Sequence, residues 1–159
     1  METDIALLAG ARKMNGDALM GIFDLYTPAL YKYALRLCHN AVMADQIVGD
    51  VFAKLFDHLS ASRGPRANLR AYLYEIAYHL FVDEVRHSHR TAPIEAVSFT
   101  YADGKPTDVS AEDRLLYETI RRAIMNDLTD DQRHVIILRF MEGFSLKETA
   151  AIMGKKWVT

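Results

Sequence analysis

The sequence has little cysteine and no long apolar run, and both shortages narrow the class of protein. Cys38 is the single cysteine among 159 residues, so no disulfide can form within the chain, and a cytoplasmic, reducing location is expected. Because Cys38 follows Leu35 and Leu37, we predict a buried structural thiol. No stretch approaches the roughly eighteen consecutive apolar residues that span a bilayer. The early charges of the N-terminus are acidic, unlike those of a signal peptide, so no membrane segment is expected.

The chain also lacks the excess of positive charge that is usual in DNA-binding domains. It carries 19 lysines and arginines against 21 aspartates and glutamates, a net charge of −2. Residues 60–90 are the exception, because five arginines there outweigh three carboxylates and three histidines accompany them. This basic stretch is where an anionic partner is expected to bind.

Motifs for catalysis are missing as well. The sequence has no glycine-rich phosphate loop, no nucleophile elbow and no spaced cysteine and histidine set. We therefore predict no enzymatic activity, no catalytic residue and no cofactor. His79, Asp83 and His87 share one helical stripe, but its ends lie ~12 Å apart along a helix axis. One chain cannot bring all three to one ion, so no metal site is predicted.

Helical periodicity dominates what is present. Apolar residues recur at steps of three and four over residues 19–37, 47–59 and 69–82. No segment alternates convincingly with a period of two, so an all-α fold is predicted. Within the first segment, Thr27 and Pro28 can serve as the N-cap and first residue of a new helix. A kink or short break is expected at that point.

Loop signals divide the chain into two parts. The segment 60–65 contains Gly-Pro and predicts a loop, and Asn68 is placed to cap the helix after it. Periodicity lapses over residues 91–111, where proline, glycine, threonine, serine and aspartate predict a linker. We therefore predict two small helical domains, at residues 1–90 and 112–159, that share little core.

The second domain carries two signals for helix starts. Thr129 and Ser145 are each followed three residues later by glutamine or glutamate, the pattern of a capping box. Gly143 and Gly154 are placed to end the two helices that follow. Two short helices joined by a tight turn, with a second turn into a third helix, predict a helix-turn-helix.

These segments resemble a known family. The stretches FDLYTPALY at 23–31, DQIVGDVFAKLF at 45–56 and LRAYLYEIAYHLFVDEVR at 69–86 are similar to region two of RNA polymerase sigma factors. The stretch LTDDQRHVIILRFMEGFSLKETA at 128–150 is similar to region four. Both occur in the family's order with only a short linker between them. The chain therefore resembles the extracytoplasmic-function class of sigma factors, which direct RNA polymerase core to promoters and help to open the minus-ten element.

The resemblance implies several binding partners. Region two would clamp onto the beta-prime coiled coil of RNA polymerase core, and region four would sit on its beta flap. An anti-sigma factor commonly covers these surfaces. Family members usually have carboxylates at the positions of Met43 and Gln46 and a long polar residue at Gly49, so this face is less acidic than is usual. The implied polymerase-binding residues are Asp45, Gln46, Asp50 and Lys54.

The resemblance also implies that residues 60–68 and the helix after them capture the non-template strand of promoter DNA at the minus-ten element. Single-stranded DNA is bound by cations along its phosphates and flat rings against its bases. Tyr72 shares a face with Ile76 and is predicted to lie in the core, whereas Tyr74 and Tyr78 either pack or contact bases. The implied minus-ten residues are Arg63, Arg66, Asn68, Arg70, Tyr74, Tyr78, His79, Arg86 and Arg90.

In the family, the last helix of region four enters the major groove at the minus-thirty-five element. The implied contacts here are Lys155, Lys156 and Thr159. Lys156 stands where serine or threonine usually caps that helix, and lysine offers no acceptor. The alignment places the end of the chain inside the helix. We therefore expect a truncated region four that contacts phosphates without reading sequence.

One alternative comes from a different class. A helical regulatory domain followed by a helix-turn-helix would also give this pattern, and such a regulator would bind duplex DNA without acting as a sigma factor. Co-purification with core polymerase distinguishes the two.

Overall fold

A computed structural model describes residues 2–91 and 110–156, and every regular element in them is helical. The all-α prediction is confirmed. A π-helical turn over Ile137–Met141 directly continues the sixth helix. The helices are α1 (Glu2–Ala11), α2 (Gly16–Cys38), α3 (Ala41–Ser60), α4 (Leu69–Thr91), α5 (Ala111–Asn126), α6 (Asp130–Ile136) and α7 (Leu146–Ile152).

Side-chain caps fix the starts of the two central helices. The Asn15 side chain accepts a hydrogen bond from the backbone N–H of Ala18 and begins α2. Asn40 does the same for Met43 at the start of α3. Between them, His39 adopts a left-handed φ of 50° and closes α2. Such caps satisfy amides that a helix end would otherwise leave unpaired.

The predicted break at Pro28 does not occur, because α2 is one continuous helix through that residue. Proline removes one hydrogen bond of the helix ladder. Buried side chains on both sides of it, including Tyr26 and Leu30, hold the two halves against the same core. Thr27 does not act as an N-cap; its hydroxyl donates to the Phe23 carbonyl at 2.7 Å.

Helix α1 was not predicted from the sequence. Its apolar residues are spread around the helix rather than gathered in a stripe, so no periodicity marks it. Nevertheless Leu8 and Ala11 are buried against α2. Two glycines allow the close approach: a Cβ added at Gly10 would lie 2.7 Å from the Ala18 Cβ. One added at Gly21 would lie 2.8 Å from a Leu7 methyl group.

The N-terminal core lies between α2, α3 and α4, which pack pairwise against one another. The stripes predicted over residues 47–59 and 69–82 supply much of it, and α3 ends at Ser60 as the loop signal predicted. Cys38 is buried and its sulfur donates to the Asn40 carbonyl at 3.2 Å, which confirms the structural thiol. Large, fully buried side chains of this core include Ile22, Leu30, Tyr33, Val51, Leu55, Leu69 and Leu73.

Residues 128–156, comprising α6, the π-helical turn and α7, form what we call the C-terminal module. Both predicted capping boxes are present, at Thr129 and at Ser145. Gly143 and Gly154 take left-handed φ values of 72° and 63° at the turns where helix ends were predicted.

The prediction that the two parts share little core is wrong. Buried residues of the C-terminal module, among them Leu138, Phe144 and Ile152, belong to the same apolar cluster as Leu73 and Tyr74 of α4. The reason is that α4 offers a second apolar face, against which α7 packs. The predicted linker falls mostly on residues 92–109, outside the described residues, so the domain boundaries stay a prediction.

Candidate nucleic-acid and polymerase interface

The loop between α3 and α4 presents cations to solvent. Arg63 and Arg66 are both exposed there. Pro65 is buried between them, and its carbonyl accepts a hydrogen bond from the Arg12 guanidinium at 3.0 Å. Ser62, like Gly64 and Asn68, has a positive φ, so the loop turns sharply within a few residues. The two arginines are therefore held on an anchored loop rather than on a free tail.

Asn68 and Arg70 begin α4 and are engaged by the C-terminal module. The Asn68 side-chain oxygen accepts from the backbone N–H of Ala71 at 3.3 Å, a cap as predicted. Its amide nitrogen donates to the Glu148 carboxylate at 2.9 Å. Arg70 donates to the backbone carbonyl of Glu142. Two of the predicted minus-ten residues therefore contact protein in this arrangement.

Glu142 lies at the centre of this contact, with only 8% of its side chain exposed. One carboxylate oxygen is 2.6 Å from the Arg36 guanidinium of α2. The other accepts from the Tyr74 hydroxyl at 2.7 Å and lies 3.8 Å from Arg70. Burial, and then the hydrogen bond to Glu142, raise the pKa of Tyr74. A buried carboxylate is thereby neutralised by groups from two helices, as buried charge requires.

The structure decides between the two alternatives left open for Tyr74 and Tyr78 of α4. Tyr74 is fully buried and Tyr78 is 5% exposed, so both pack rather than face solvent. Tyr72 is half-buried and packs against the edge of the core, and its hydroxyl pairs with the His58 ring. The face of Tyr74 and Tyr78 is covered by the C-terminal module, through Phe144 and His134. The spacing of Tyr74 and Tyr78 indicates a second face of α4, but the α4 sequence does not show what covers that face.

The remaining minus-ten candidates lie further along α4. His79 and Arg86 are exposed. His79 is close to the end of the C-terminal module, since a Cβ added at Gly154 would lie 3.6 Å from its ring. The side chain of Arg90 is outside the described residues. The structure therefore gathers Asn68, Arg70, Tyr74 and Tyr78 in one contact and leaves the exposed cations around it.

All four predicted polymerase-binding residues, Asp45, Gln46, Asp50 and Lys54, are exposed on α3. A groove of about 320 Å³ runs between α3 and α4. Asp83 and Glu84 of α4 join it, so carboxylates from a second helix lie beside Met43 and Gln46, where carboxylates were expected. Sequence reasoning did not assign them to this face. The groove is lined by Met43, Gln46, Ile47, Asp50, Leu80, Asp83, Glu84 and His87.

The predicted minus-thirty-five residues are only partly within the described chain. Lys155 pairs with the Asp131 carboxylate at 2.8 Å, which links the end of the C-terminal module back to α6. Lys156 is exposed, and neither residue is helical. Thr159 lies outside the described residues. Among residues 2–91 and 110–156, no cluster of three or more histidines, cysteines or carboxylates could hold a metal.

Comparison with known proteins gives matches over both parts of the chain. Residues 22–91 match the sigma-70 region 2 family, and residues 124–156 match the sigma-70 region 4 family. The extracytoplasmic-function sigma factor EcfG of Rhodopseudomonas palustris is 31% identical over 127 residues, covering 80% of this chain and 68% of that protein. A second extracytoplasmic-function sigma factor, BldN of Streptomyces coelicolor, is 26% identical over 153 residues. That match covers 94% of this chain and 57% of BldN.

A solved structure is similar as well. The sigma factor RpoE of Bartonella quintana, crystallised with the anti-sigma factor NepR, is 27% identical, with a TM-score of 0.64. The alignment covers 86% of this chain and 83% of that one.

Two helical modules of this kind define a transcription-initiation factor, which acts by binding rather than by catalysis. The chain belongs to the extracytoplasmic-function family of RNA polymerase sigma factors. The region 2 match sets aside the alternative of an unrelated helix-turn-helix regulator. None of the helices in the described ranges combines the length and apolarity that a bilayer crossing requires.

Proposed function

We propose that this chain directs RNA polymerase core to promoters and helps to open the minus-ten element. The observation that carries the proposal is the position of Arg63 and Arg66. Both are exposed on an anchored loop that leads directly into α4, within the region 2 match. Cations held in this way suit the phosphates of a single strand. Such a protein would work in the cytoplasm, where polymerase and chromosomal DNA are found.

Polymerase core is proposed to bind the outer face of α3. Asp45, Gln46, Asp50 and Lys54 face solvent there, and the groove beside Asp50 is lined by Asp83 and Glu84. A groove with several carboxylates suits cationic side chains, which charge-assisted hydrogen bonds would hold. We propose the beta-prime coiled coil as the partner for this face and the beta flap as the partner for region four.

Promoter DNA is proposed to meet the chain in two places. At the minus-ten element, Arg63 and Arg66 of the loop are exposed, as are His79 and Arg86 of α4. Arg90, whose side chain lies outside the described residues, is proposed to join them. Asn68 and Arg70 would have to exchange their protein partners for DNA. At the minus-thirty-five element, the role proposed for Lys155, Lys156 and Thr159 is contact with phosphates, which positions DNA without specifying sequence.

An anti-sigma factor is the remaining proposed partner. RpoE of Bartonella quintana, which is similar over 86% of this chain, was solved with one. Such a protein would cover the same surfaces that polymerase and DNA need.

The test is reconstitution with core polymerase. Asp50→Arg should weaken pull-down of core and reduce promoter-dependent initiation, because it reverses charge on the groove. Asp24→Arg is the matched control, since Asp24 is also an exposed aspartate but lies on a different helix, α2. Circular dichroism should show unchanged helicity in both variants. If Asp50→Arg and Asp24→Arg bind core equally well, the assigned face is wrong.

A further inference from the structure

The C-terminal module covers part of the surface that the minus-ten strand is proposed to bind. Asn68 is occupied by Glu148, and Arg70 by the backbone of Glu142. Tyr74, on the same side of α4, donates to the Glu142 carboxylate. The module is therefore seated on the first turns of α4, next to the exposed loop arginines.

The groups that occupy this surface match DNA in their chemistry. The carboxylates of Glu142 and Glu148 accept hydrogen bonds from Arg36 and Asn68, as phosphate oxygens would. The Phe144 ring lies under the Arg70 guanidinium at 4.1 Å, as a base would. Anionic acceptors and a flat ring are what single-stranded DNA brings to such a surface.

The C-terminal module and a DNA strand cannot occupy this surface at the same time. Phe144 is 1% exposed and meets the Tyr74 ring edge-on with centroids 4.9 Å apart, so no base can enter between them. The Glu142 side chain is 8% exposed, which leaves little room for solvent or a phosphate beside Arg36. Contact of a DNA strand with Arg70 requires the C-terminal module to move away.

We propose that the C-terminal module is an intramolecular competitor for the minus-ten strand, held closed by Glu142 and released when polymerase and promoter bind. This inference rests on the proposed function. Glu142 stabilises the closed form because it connects the module to both α2 and α4, through Arg36, Tyr74 and Arg70. A closed form lowers the apparent affinity for DNA by the fraction of molecules that are open.

The first experiment measures closure directly. Spin labels at exposed positions 67 and 151, introduced as Ala67→Cys and Ala151→Cys in a Cys38→Ala background, report the distance between the loop and α7. Glu142→Gln keeps the shape of the side chain and removes its charge. Arg36→Gln breaks the same contact from α2. Both variants should lengthen the distance and broaden its distribution, and the double variant should add little more, because the two residues share one interaction.

The second experiment measures competition with the unlabelled chain. A fluorescein-labelled single strand of about twelve nucleotides serves as the probe. Loss of a charge-assisted hydrogen bond should raise the affinity of Glu142→Gln for this strand about tenfold. Glu112→Gln, an exposed glutamate on α5, is the matched control and should bind as the parent does. Circular dichroism checks that both variants keep their helices.

The proposal that the C-terminal module competes with the strand would be overturned by unchanged label distances in both variants. Opening without tighter binding of the strand would overturn it as well. A different result would count against the proposed function. If neither the parent chain nor Glu142→Gln supports promoter-dependent initiation with core polymerase, then the sigma role fails, whatever the labels report.

Discussion

Phe144 offers a quantitative test of the shared core. It is 1% exposed, with the Tyr74 ring edge-on at 4.9 Å and the Arg70 guanidinium 4.1 Å above it. Phe144→Ala should lower the free energy of unfolding by about 3–5 kcal/mol, the range for phenylalanine truncation in a packed core. Phe140, four residues earlier, is 80% exposed. The same substitution there should change that free energy by less than about 0.5 kcal/mol.

Urea unfolding followed by circular dichroism distinguishes these values. With a slope of about 2 kcal/mol per molar urea, Phe144→Ala should lower the midpoint by about 2 M. Phe140→Ala should leave it unchanged. Since the C-terminal module and α4 share one core, the parent chain should lose the helices of both in one transition. Equal midpoints for the two variants would refute the packing argument, and two separate transitions in the parent chain would refute the shared core.

Two further predictions concern pH and salt. His134 is buried against the Tyr78 and Phe81 rings, and burial lowers its pKa from 6.5, although Asp130 and Asp131 oppose the shift. His134 therefore takes up a proton more readily in the open form, so the closed form should lose stability as pH falls below about 6.5. The distance between the spin labels should be longer at pH 5.5 than at pH 7.5 in the parent chain. In His134→Phe this distance should not change with pH. Replacing Arg63 and Arg66 together with alanine should weaken the salt dependence of single-strand binding. The slope of the logarithm of the binding constant against the logarithm of the salt concentration should become shallower by about 0.7 for each phosphate that an arginine no longer neutralises. A binding titration at several salt concentrations measures this slope, and an unchanged slope would show that both arginines only meet solvent.

Most of the local structure could be predicted because local chemistry determines it. The capping boxes at Thr129 and Ser145, and the loop signal after Ser60, marked helix ends that the structure confirms. Each of these signals depends on residues within one turn of the helix end. The all-α class followed from the period of the apolar residues in the same local way.

Where the prediction failed, the cause was packing between distant segments. Pro28 carries a local break signal, but the core holds α2 together across it. For Tyr74 and Tyr78, packing and base contact were both left open; a module some sixty residues later packs on them, and the α4 sequence could not decide between the two alternatives. The site was affected in the same way, since Asn68 and Arg70 were correctly placed at the start of α4 but their protein partners were not foreseen.

The buried sulfur of Cys38 has a consequence for redox chemistry. Desolvation raises the pKa of this thiol, which donates a hydrogen bond to the Asn40 carbonyl. Since the thiolate is the reactive form, Cys38 should be slow to react with peroxide, glutathione disulfide or maleimide. As Cys38 is the single cysteine of the sequence, thiol oxidation of this chain should be slow. Exposed methionines such as Met14, Met20 and Met141 are then the side chains that an oxidant would reach first.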